Sequence, residues 1–81
     1  MEIKILGPGC PRCHEVERRT INALAELNVA ADVQKISDIK KIVEYNIIST
    51  PGLVINGKVM CSGRIPSLEE IKRWIQEENR G

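Results

Sequence analysis

The 81 residues contain no phenylalanine, one tyrosine (Tyr45) and one tryptophan (Trp74). So small an aromatic complement leaves no platform on which nucleobases could stack. With 12 basic against 11 acidic side chains, interspersed along the chain, there is no electrostatic footprint for nucleic acid or an anionic membrane either. Long hydrophobic runs are also missing. The opening Met1-Glu2-Ile3-Lys4-Ile5-Leu6 breaks at Gly7-Pro8-Gly9, too short for a secretory leader, and nothing approaches the roughly 20 apolar residues a bilayer needs. The expectation is a cytoplasmic protein with neither a nucleic-acid nor a membrane partner. Cysteine is scarce and odd in number, three in all, which argues against a secreted disulfide framework. The length suits one compact domain over residues 1–81, burying about 60–65% of the surface its unfolded chain exposes.

What is present orders itself by periodicity. Glu2 to Leu6 alternates Ile3 and Ile5 with polar neighbours and reads as a strand. Pro11 to Leu27 is the clearest helix: Cys13, Val16, Thr20, Ala23, Leu24 and Leu27 recur on one side, with Glu15, Arg18, Arg19, Asn22 and Glu26 on the other. Pro11 fits its first position, where a missing N–H costs nothing. Val29 to Ile36 is expected as a second strand. Ser37 or Asp38 then caps a short helix carrying Ile39, Ile42 and Val43, with Asn46 as its stop. Asn56-Gly57 between Gly52–Ile55 and Lys58–Ser62 is a strong hairpin signal. Ser67-Leu68-Glu69-Glu70 forms a capping box for a last helix with Leu68, Ile71, Trp74 and Ile75 inward. The order β-α-β-α-β-β-α predicts an α/β fold, a mixed four-stranded sheet between helices with a right-handed parallel crossover first.

Cys10 and Cys13 stand as C-x-x-C, a spacing that in a reducing compartment points to redox chemistry or to metal. Cys10 is expected at the threshold of the first helix, where unpaired N–H groups and the helix dipole favour a thiolate. Arg12 and His14 add positive potential. Cys13 falls one turn on, on the inward face. An attacking thiol beside a sheltered resolving thiol is the asymmetry that two-step disulfide exchange requires.

These elements, with Gly9-Cys10-Pro11-Arg12-Cys13 ahead of the first helix and Ile48-Ser49-Thr50-Pro51 ahead of the hairpin, resemble the thioredoxin-fold superfamily. The likeness is greatest to small, glutaredoxin-sized archaeal and bacterial redox-active disulfide proteins, and it spans essentially the whole chain. The resemblance implies a thiol–disulfide oxidoreductase with Cys10 as nucleophile and Cys13 as resolving thiol. Pro11 and Arg12 would tune that pair. It implies that the Thr50–Pro51 bond is cis and that Thr50 and Pro51 dock an extended substrate strand, with Gly63 beside them. Proline at the start of a strand is compatible with this, since a cis X–Pro bond lies only about 0.5–1 kcal/mol above trans. Protein disulfides and an upstream reductase would be the partners of a monomer, and the chemistry requires no cofactor. The chain departs from thioredoxins at Gly9, where they carry Trp, and at Lys4, where they bury an acid. It departs from glutaredoxins at Gly63-Arg64-Ile65-Pro66, so the likeness reaches the superfamily and neither subclass.

Other chemistries fit the same residues less well. A thiolate metal carrier using Cys10 and Cys13 is the main alternative, since two thiolates suit soft cations. Carriers of that type, however, end on a strand, and this chain ends on a capped helix. Cys10-Pro11-Arg12-Cys13-His14 also spells the haem-attachment pattern, in a chain with little to wrap a porphyrin. Gly7-Pro8-Gly9 begins like a dinucleotide loop, but Arg12 stands where the third glycine belongs. Cys61, alternating with Val59 on the hairpin, reads as a buried small hydrophobe, and His14 as a solvated helix residue.

Overall fold

The computed structural model describes residues 1–9, 11–47 and 49–80, with Arg80 described by its backbone. Seven elements follow in order: β1 (Glu2–Leu6), α1 (Pro11–Leu27), β2 (Asp32–Ile36), α2 (Ile39–Glu44), β3 (Gly52–Ile55), β4 (Lys58–Ser62) and α3 (Leu68–Arg80). The sheet runs β2-β1-β3-β4. β1 pairs with β2 in parallel and with β3 antiparallel, and β3–β4 is the hairpin. This is the α/β architecture that the element order predicts.

Local chemistry sets most boundaries. Asp38 caps α2 by accepting a hydrogen bond from the Lys40 N–H, and Asn46 ends that helix at φ 61°. Asn56 and Gly57, at φ 51° and 81°, turn the hairpin. In the capping box the Glu70 N–H donates to Ser67 Oγ and the Ser67 N–H donates to Glu70 Oε1, at 3.2 and 3.1 Å.

One boundary differs from the sequence expectation. β2 begins at Asp32, three residues later than Val29. Asn28 adopts φ 56°, the Val29 N–H donates to Leu24 O and the Asn28 N–H to Ala25 O. These are the paired bonds of a Schellman helix end. Val29 therefore finishes α1 and packs on the core rather than entering the sheet. Pairing starts only where the Asp32 N–H reaches Met1 O.

The sheet is covered on both faces. Ile3, Ile5, Leu53 and Ile55 point to one side and meet Val16, Ala23 and Leu24 of α1 and Ile71 and Ile75 of α3. Leu6 and Val54 point to the other and meet Ile42 of α2. All of β3 is consequently buried. The buried Thr20 hydroxyl donates to Val16 O at 2.8 Å, and among the described residues no buried side-chain hydroxyl is unsatisfied. The α2 face is only partly closed: Ile42 is buried, whereas Ile39 is 70% and Val43 61% exposed. Six helical residues present one buried position to the sheet, and the rest of the apolar stripe is left outside.

Candidate active site

Cys13 lies in the first turn of α1, 3% exposed, on the same buried face as Val16 and Thr20. Its Sγ packs against Gly7, whose position would not tolerate a Cβ: an added methyl would overlap that sulfur. The need for glycine here is a close approach between the end of β1 and the start of α1. The Gly7 N–H donates to Ile36 O at 2.9 Å, which ties the loop to the end of β2. Cys10 lies outside the described residues; α1 begins at Pro11, which is exposed.

The Thr50–Pro51 peptide bond is cis, the geometry that the sequence resemblance assigned to it. Pro51 is buried at the entry to β3, while Thr50 is partly exposed. Gly63 joins them: its N–H donates to Pro51 O at 2.9 Å, its φ is 78°, and a Cβ there would lie 3.0 Å from the Ser49 Cβ. Arg12 closes the arrangement from the other side, with Nη2 donating to Gly63 O at 3.1 Å. Thr50, Pro51, Gly63 and Arg12 are thus brought to one edge by three separate elements. No hydrogen bond to the Thr50 backbone occurs among the described residues.

Two concavities flank the Gly7-Pro8-Gly9 loop, and Pro8 lines both. One, about 220 Å³, lies between that loop, Cys13 and His14 of α1, and Lys35 and Ser37 at the end of β2. The other, about 240 Å³, lies between Pro8, Ser49 and Thr50 and the apolar side of α2, including the exposed Ile39 and Val43. His14 is exposed, as expected of a solvated helix residue, yet it edges the cavity that holds Cys13.

Lys4, at the position where the resembled family buries an acid, is on the α2 side and donates to Tyr45 Oη at 3.3 Å. That hydrogen bond raises the lysine pKa, so the position carries a firm positive charge. Arg64 forms a bidentate pair with Glu70 at 3.0 and 2.8 Å and holds its carboxyl down to about 2.

Cys61 departs from expectation. A bulge shifts the register between Leu53 and Val54, so Cys61 opposes Leu53 while Val59 opposes Val54. Leu53 and Val54 face opposite sides of the sheet. The extra residue, Met60, breaks the expected alternation. Cys61 is half-buried against the α1/α3 core, and burial pushes its thiol pKa up.

Sequence reasoning missed the Gly7–Cys13 contact and the Arg12–Gly63 bond. The first left a trace, a glycine directly after an apolar strand and six residues before a cysteine. The second left none, because its partners are 51 residues apart.

A family profile described as thioredoxin domain matches residues 1–76. Curated relatives include a thioredoxin of Methanothermobacter thermautotrophicus, 37% identical over 93% of this chain and 97% of its own length. A thioredoxin of Methanocaldococcus jannaschii is 34% identical over 98% of this chain and 91% of its own. A probable thioredoxin of M. thermautotrophicus is 35% identical over 89% of this chain and 87% of its own.

Proposed function

Because the chain belongs to the thioredoxin domain family and is a thiol–disulfide oxidoreductase, we propose that it reduces disulfides of other proteins, with Cys10 attacking and Cys13 resolving. The Cys10 thiolate attacks one sulfur of the substrate disulfide. A Cys10–substrate S–S bond forms, and the second substrate sulfur leaves as thiolate and takes a proton. Cys13, deprotonated, then attacks the Cys10 sulfur. The substrate's remaining thiolate departs and a Cys10–Cys13 disulfide is left. Two electrons have passed to the substrate, and a separate reductase must return them.

The observation that carries this reading is the enclosure of Cys13. A residue only 3% exposed, its sulfur held against Gly7 in the first turn of α1, is poorly placed to meet a protein disulfide. It suits a thiol that acts second, from within. Thr50, Pro51 and Gly63 form the docking edge for the substrate segment, and Pro11 and Arg12 tune the thiol pair. The protein works as a cytoplasmic monomer, a single domain over residues 1–81, with no cofactor. No helix among the described residues is long and apolar enough to cross a membrane.

Two variants test the roles. Cys10→Ser should abolish reduction of insulin disulfides. Cys13→Ser should accumulate a mixed disulfide through Cys10, identified by peptide mass mapping. Normal turnover by the Cys10 variant would overturn the assignment.

A further inference from the structure

The chain as a whole is nearly charge-balanced, but the segments that meet at the site are not. Residues 7–14, 35–37, 47–51 and 62–65 contain Arg12, Lys35, Arg64 and His14 and no aspartate or glutamate. Several carboxylates near these segments are already engaged. Glu70 holds Arg64, Glu17 lies 3.6 Å from Lys35, Glu15 holds Arg18 and Arg19, and Asp38 accepts the Lys40 N–H. Arg12 is different. Among the described residues its guanidinium bonds only to the Gly63 carbonyl, a neutral acceptor. That bond uses one of five N–H donors in a planar fork suited to a carboxylate. It also holds the guanidinium at the residue whose own N–H reaches Pro51. Among the described residues, the Arg12 guanidinium at this rim therefore has no carboxylate partner.

We propose that Arg12 is a specificity residue that selects protein disulfides flanked by a carboxylate side chain. This rests on the disulfide-reductase reading above. An extended substrate segment laid along Thr50 and Pro51 brings the residues next to its cysteine past the Gly63–Arg12 bridge. An aspartate or glutamate there takes the remaining donors of the fork, and a lysine there meets an unanswered positive charge.

The test is a set of three peptide disulfides identical except for Asp, Asn or Lys beside the cysteine, with glutathione disulfide as a fourth substrate. kcat/KM is measured at low and at about 0.5 M salt. An exposed ion pair predicts about a threefold to fivefold preference for Asp over Asn at low salt, largely lost at high salt. The Asp:Lys ratio should collapse toward one in Arg12→Gln and invert in Arg12→Glu. Ratios are the readout because any effect of Arg12 on the thiol itself acts on all peptides alike. Equal kcat/KM for the three peptides with the wild-type protein overturns the proposal. So does a dependence on Arg12 confined to glutathione disulfide, which would place the recognised carboxylate on a small thiol rather than a protein. Failure to reduce any of the substrates overturns the reductase reading and this inference with it.

Discussion

Gly7 and Cys13 show how closely single residues are matched at this site. The Cys13 sulfur occupies the space that a Gly7 side chain would need. Gly7→Ala should therefore cost stability by overpacking, about 1–3 kcal/mol, and displace the sulfur from its place behind the Gly7-Pro8-Gly9 loop. Urea unfolding of the reduced protein measures the first effect. A double-mutant cycle with Cys13→Ala isolates the cause, because removing the sulfur should recover most of the loss. Additive costs would mean that the methyl strains something other than Cys13. C-x-x-C was visible in the sequence by spacing alone, and so was the inward direction of Cys13, since position 13 continues the apolar face of Val16 and Thr20. The glycine that admits it was not, because close approach between a strand end and a helix start leaves no periodic signal.

Among the elements, α3 has the best-defined start. Ser67 and Glu70 cap each other, and Arg64 grips the same carboxylate from the preceding loop. Ser67→Ala should lower stability by about 1 kcal/mol, as for other N-caps, measured by thermal or urea unfolding. The carboxyl of Glu70 sits at about 2 in the folded protein, below the roughly 4.3 of an unfolded chain. The unfolded state thus binds this proton first. The stabilisation is complete above about pH 5 and is lost as pH falls toward 2. Unfolding midpoints measured from pH 6 to 2 should fall less steeply for Glu70→Gln than for the wild type. Parallel curves would count against Glu70 as an acid-sensitive group. This helix start was legible because every partner but Arg64 lies within three residues. The start of β2 was not, since it depends on Asp32 finding Met1 across the crossover, while Val29 is spent on closing α1.

At the scale of the molecule, a sheet covered unequally on its two faces concentrates stability on one side. Ile71 is fully buried between α3 and the sheet, whereas Ile39 on α2 is 70% exposed. A domain of this size has only about 4–12 kcal/mol to lose. Ile71→Ala should remove about 2–5 kcal/mol of it, and Ile39→Ala less than about 0.5. Urea unfolding of the two variants compares them directly. A large loss from Ile39→Ala would show that α2 is held by its outer stripe and not by Ile42 alone. The exposed stripe borders the cavity beside Thr50, so the thinly covered face of the sheet is also one side of the site.

The sequence by itself determined what neighbouring residues decide among themselves. The Asn56-Gly57 turn, the Ser67–Glu70 box, the amphipathic face of α1 and the placing of C-x-x-C ahead of that helix all rest on contacts a few positions apart. From them the order of strands and helices followed. Only the tertiary structure decided which parts meet. Gly63 reaches Pro51, and Arg12 reaches Gly63, because β4 returns beside β3 while α1 starts from the end of β1 that lies beside the start of β3. The bulge opposite Leu53 turns Cys61 toward the α1/α3 core through pairing between strands, which no single strand encodes. The exposure of Ile39 and Val43 was settled in the same way. An apolar residue is buried only where another element arrives to cover it, and on the outer side of α2 none does among the described residues.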